Sequence, residues 1–98
     1  MFTYQGNAVL ACPDHSEVPI HVSLRETRDR HGFGSWEGRA STNDGHALLR
    51  AMNFNNSLII KLPDGRQGSV MLLGANANGH GIGSAAIQGR GEPPAAAA

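Results

Sequence analysis

Residues 57 to 73, Ser57-Leu-Ile-Ile-Lys-Leu-Pro-Asp-Gly-Arg-Gln-Gly-Ser-Val-Met-Leu-Leu73, decide the fold. Two apolar runs flank Pro63-Asp64-Gly65. Proline pre-sets φ for the first corner of a type I turn, aspartate suits the second, and glycine takes the left-handed φ that follows. The segment therefore predicts a hairpin with a three-residue loop and a bulge. Strand alternation puts Leu58, Ile60 and Leu62 on one face with Val70 and Leu72. Ile59, Met71 and Leu73 fall on the other. A barrel has one interior, so this outer trio needs cover from a helix or a partner.

Toward the N-terminus, residues 17 to 25 alternate strictly. Val18, Ile20, Val22 and Leu24 point inward, and Glu17, Pro19, His21, Ser23 and Arg25 point to water. Pro19 has no N–H, which predicts an edge position or a bulge. Residues 2 to 11 form the preceding strand, turned through Pro13-Asp14-His15-Ser16. A charged turn is expected at 26 to 32 and another strand at 33 to 41. There Trp36, Gly38 and Ala40 must face the core, because a slip of one residue would bury Glu37. The expected register sets Trp36 opposite Val22 and Glu37 opposite His21.

Toward the C-terminus, Thr42, Asn43 or Asp44 can cap a helix over 44 to 52, with Leu48, Leu49 and Met52 on one side. This helix is expected to close one barrel end, and Asn53-Phe54-Asn55-Asn56 breaks it. Residues 74 to 81 read as loop. Residues 82 to 91 read as a last strand, ended by Gly91-Glu92-Pro93-Pro94. No long internal repeat is visible. The prediction is an all-β domain, a small antiparallel six-stranded β-barrel with one short helix, over residues 1–94, with an alanine tail at 95–98.

Eight basic and eight acidic residues balance to zero net charge. No basic excess exists to track a phosphate backbone, which argues against nucleic acid as a partner. No apolar run approaches the ~20 residues that span a bilayer, so no membrane partner is expected. The N-terminal segment lacks the pattern of a signal peptide, and the expected location is cytoplasmic. Cys12 stands alone and cannot form an internal disulfide or a cysteine-based zinc site.

Chemistry-bearing residues are scattered. His15, His21, His31, His46 and His80 lie on different elements, with no pair at metal-ligand helix spacing. Gly79-His80-Gly81-Ile82-Gly83-Ser84 neither follows a parallel strand nor opens a helix, as a dinucleotide loop would. Cys12 with His15, or Ser35 with His21, lacks the third group that supports a nucleophile–base pair. The expectation is a non-catalytic chain with no metal and no cofactor.

Two surfaces remain as candidate protein contacts. One is the outer face of residues 17 to 41, where His21, Ser23 and Arg25 lie near Glu37, Ser35, Phe33 and Arg39. An ordinary solvated sheet face is the plainer reading of these residues, but arginine beside aromatics also suits an interface. The other is Ile59, Met71 and Leu73, with Phe54 at the border.

A resemblance runs the length of the chain. Its marks are Tyr4-x-Gly6-x-Ala8-x-Leu10, Val18-Pro19-x-x-Val22-x-Leu24, Gly38-Arg39, Leu48-Leu49-Arg50, Leu62-Pro63-Asp64-Gly65 and Gly89-x-Gly91-x-Pro93-Pro94. In these the chain resembles an actinobacterial β-domain family of unknown function, whose members stand alone or are appended to flavin-dependent monooxygenase-like proteins. The Gly-rich stretch 74–84 departs from that pattern. The resemblance implies a standalone β domain and brings no catalytic residues to carry over. The expected function is a binding or accessory module acting on a protein partner or as a homo-oligomer. The alternatives are a structural subunit of a larger assembly such as a phage particle, and a small-ligand-binding barrel or accessory domain of a flavin oxidoreductase.

Overall fold

The computed structural model describes residues 2–28, 34–54 and 57–95. In chain order these form β1 (Thr3–Ala11), β2 (Glu17–Arg28), β3 (Gly34–Thr42), α1 (Gly45–Ala51), β4 (Leu58–Lys61), β5 (Gln67–Ala77) and β6 (Gly83–Ala95). A single 3-10 turn, Met52–Phe54, extends α1. The strands close into a barrel in the order β1-β2-β3-β6-β5-β4, with every neighbouring pair antiparallel. After the helix, β4 returns to lie beside β1, which makes a Greek key.

The turn predicted at Pro63-Asp64-Gly65 forms, and it occurs three times among the described residues. In Cys12–Ser16, Leu62–Arg66 and Asn78–Ile82 the first N–H donates to the last carbonyl, at 2.9, 2.8 and 2.9 Å. The fourth N–H donates to the first carbonyl, at 3.1, 3.0 and 3.2 Å. The fourth residue is left-handed each time: His15 at φ 70°, Gly65 at 93° and Gly81 at 83°. Matching Cys12 to Leu62 aligns Pro13-Asp14 with Pro63-Asp64, Leu10 with Ile60, Ile20 with Val70 and Val22 with Leu72. The meanders β1-β2-β3 and β4-β5-β6 thus form two equivalent halves, joined by β1 to β4 and by β3 to β6. What repeats is one turn and an alternation, which is why no long repeat is visible in the sequence.

The β2–β3 register differs from the expected one by four residues. Val22 faces Ala40, Leu24 faces Gly38, and Glu26 faces Trp36. The parity is as required, so Trp36 is fully buried. The first three residues of the expected charged turn are strand instead, because β2 continues to Arg28, and residues 29–32 lie outside the described residues. Gly38 fixes this register, since a Cβ there would run into Leu24 and the Ser23 carbonyl. Glu26 is tolerated on the inward side because its carboxylate accepts the Phe2 N–H at 3.0 Å and pairs with Arg28 at 3.5 Å.

Pro19 sits in a strand with a neighbour on each side, not at an edge. It pairs with Val9, while the β3 ladder stops at His21–Ser41. The Thr42 hydroxyl donates to the Pro19 carbonyl at 2.8 Å, so β3 makes no demand on the missing N–H. The expected loop at 74–81 shrinks to the turn at 78–82. β5 absorbs the rest through a bulge between Leu73 and Asn76, with Gly74 at φ 65°. β6 likewise runs past the expected stop at residues 91 to 94, and Ala95 pairs with Gln67. Among the described residues, pairing with β3 runs as far as Glu37–Gln88.

Leu10, Val22, Trp36, Leu58, Ile60, Val70, Leu72 and Ile87 fill the barrel, and Leu48 of α1 is buried with them. Asp44 caps the helix by accepting the Ala47 N–H at 3.1 Å. Gly45 and Gly83 let the helix and β6 backbones approach, and Leu48 lies against Gly83. The helix buries Ala47, Leu48 and Ala51, whereas Leu49 turns outward at 39% exposure. Its short apolar stripe is therefore centred one position before the expected one. Phe2 packs near Trp36 edge to face, with centroids 6.2 Å apart. The Arg66 guanidinium lies over the Phe2 and Tyr4 rings, at 5.6 and 5.9 Å.

Candidate functional site

The outer face of β2, β3, β6 and β5 is built from two cross-strand rows. Ser23, Arg39, Ala86 and Leu73 make one. Arg25, Glu37, Gln88 and Met71 make the next. Alternation forces this: all eight are outward residues, two apart on their strands. The Ser23, Arg25, Glu37 and Arg39 part of one candidate surface and the Met71–Leu73 part of the other are thus one surface, joined by β6. Ala86 is small between Arg39 and Leu73, and the face dips there into a groove of about 450 Å³ that Arg25, Leu73 and Gln88 help to line. The joining strand was missed because the closure order β3-β6-β5 is set by the tertiary fold. Ala86 and Gln88, on the outward parity of the last strand, were its one visible trace.

Among the described residues, no helix covers the apolar end of this face. Leu73 is 44% exposed, Met71 is half-buried, and Ile59 is 37% exposed on neighbouring β4, opposite Ser69. Phe54 sits elsewhere: half-buried on the core near the helix end, it lines a small recess with Cys12, Asp14 and Val18. At the polar end, Arg25 and Glu37 are 3.8 Å apart with both side chains well exposed. Such a pair contributes little by itself. Arg39 has no ion-pair partner among the described residues.

His21 faces Ser41, not Glu37. It lines a second outer groove, of about 690 Å³, whose apolar residues include Val9, Pro19, Pro63 and Ile82. Lys61 and Glu17 meet at 3.8 Å on its border. Phe33 and His31 lie outside the described residues. Ser35 pairs with Thr27 at 3.0 Å, six residues along β3 from the His21 row. Cys12 is buried at the start of its turn. The Gly79–Ser84 stretch is a hairpin turn entering an antiparallel strand. Among the described residues, no three His, Cys, Asp or Glu side chains are grouped as metal ligands would be. No helix among them is long and apolar enough to cross a membrane.

Two carboxyls are held below the ordinary aspartate value, both in turns. The Ser16 hydroxyl, then the Ser16 N–H, stabilise ionised Asp14. For Asp64 the Arg66 N–H leads, with the Arg66 guanidinium adding to it. Both explanations are structural, since each carboxylate closes its own turn. No family model, no curated protein and no solved structure matches the chain.

Proposed function

We propose that this barrel is a non-catalytic binding or accessory module that works through protein contact on the β2-β3-β6-β5 face. The observation that carries the reading is the apolar edge of exposed Leu73 and half-buried Met71, with exposed Ile59 on the next strand, where Leu73 shares a row through Ala86 with Arg39, which lacks an ion-pair partner among the described residues. Exposed apolar side chains beside arginine, around a small central residue, are what protein interfaces use. A structural subunit of a larger assembly would use the same face. The Val9–Pro19 groove supports a second reading, a small-ligand-binding barrel, because its volume suits a drug-sized molecule. Such a ligand would lie on the wall, since side chains fill the lumen.

Met71→Glu tests the first reading. It charges the outer face and leaves Val70 and Leu72 in the core. The parent is expected to elute above its monomer mass in size-exclusion chromatography, purified or in cell extract. The variant should melt within a few degrees of the parent and elute as a monomer in both. A parent that is monomeric in both settings contradicts the reading.

A further inference from the structure

We infer that the partner on this face is a second copy of the chain, docked face to face across a two-fold axis that runs along the rows, between them. The inference rests on the protein-contact reading above and specifies its partner. The axis direction follows from the arrangement of residues. In the first row β3 presents Arg39, β6 presents Ala86 and β5 presents Leu73. In the next, the same strands present Glu37, Gln88 and Met71.

A two-fold axis lying between the rows exchanges them and leaves each strand over its own counterpart. Arg39 then meets Glu37 of the second copy, and Glu37 meets the second copy's Arg39. Leu73 meets the second copy's Met71, and Met71 its Leu73. Gln88 enters the dip at the second copy's Ala86. Charge, apolar surface and shape are matched in one operation, and every contact is made twice, as a self-complementary interface requires. An axis along the strands over β6 would instead set β3 over β5, placing Arg39 and Glu37 on Leu73 and Met71 and leaving those charges without an opposite charge across the interface. Zero net charge adds no long-range repulsion between copies.

The test uses Arg39→Glu and Glu37→Arg, each read by native mass spectrometry and by sedimentation at a concentration where the parent is dimeric. Each single variant places like charges opposite each other twice, so each should lose its dimer while keeping its melting temperature. Mixed one to one, the two variants should recover a dimer, and that dimer should be the heterodimer, in which both contacts are opposite in sign again. The double variant carrying both changes should dimerise with itself, which provides the test should either single variant fold poorly. High salt should weaken the parent dimer. A mixture and a double variant that both stay monomeric would overturn the two-fold pairing. If Met71→Glu still abolishes a complex in that case, the face is a contact surface for another protein and the broader reading stands. A parent that stays monomeric at every concentration overturns the inference. A complex in extract that Met71→Glu abolishes would then leave the contact reading intact.

Discussion

Trp36 lies with its indole directly over Gly89, where any Cβ would strike the ring. Truncating this fully buried side chain should cost about 3–5 kcal/mol, a large part of the stability of a domain this size. Gly89→Ala should also destabilise, by forcing the ring to move. Combining it with Trp36→Leu should cost less than the sum of the two, as for any pair sharing one space. Thermal melting of the three variants checks this, and additive losses would contradict the packing. The turn aspartates give a second prediction. Their folded pKa values are depressed, so their contribution is complete above the ordinary value of 3.8 and is lost as pH falls through the folded values. Carboxyl NMR should show Asp14 and Asp64 titrating below 3.8, and the Asn variants should lose less stability than the parent between about pH 4 and pH 2.

The repeated turn and the capped helix are the features that elements contribute. His15 and Gly65 hold equivalent places in equivalent turns, both left-handed. His15→Gly should therefore stabilise by up to about 1 kcal/mol, the relief of a left-handed side chain less the glycine entropy. Gly65→Val should destabilise. Asp44→Ala should cost about 1 kcal/mol by losing the cap, and Leu48→Ala about 2–5 kcal/mol by emptying the barrel end. Chemical denaturation separates the two. At this scale most of the fold was legible. Strand parity came from alternation, and the hairpin from Pro63-Asp64-Gly65. Strand ends did not, because Glu26 reads as a turn residue until Phe2 and Arg28 satisfy it, and the Gly74 bulge reads as a loop. The β2–β3 register was set by a close approach at Gly38, which no periodicity reports.

Across the whole molecule, closure of the barrel determines which outer residues become neighbours. Arg39, Glu37, Met71 and Leu73 were each identified from sequence, yet the strand order that unites them lies between distant parts of the chain. That is why these four residues divide between two candidate surfaces in the sequence and share one in the fold. If a second copy docks on this united face, and not in the Val9–Pro19 groove, the face should respond when the protein is concentrated. Amide NMR spectra of the purified protein over a concentration series test it most directly. Concentration-dependent shifts are expected to cluster at Glu37, Arg39, Met71, Leu73, Ala86 and Gln88, with Val9, Pro63 and Ile82 unmoved. Spectra that do not change with concentration would contradict self-pairing on this face, and shifts confined to the Val9–Pro19 groove would contradict the face itself.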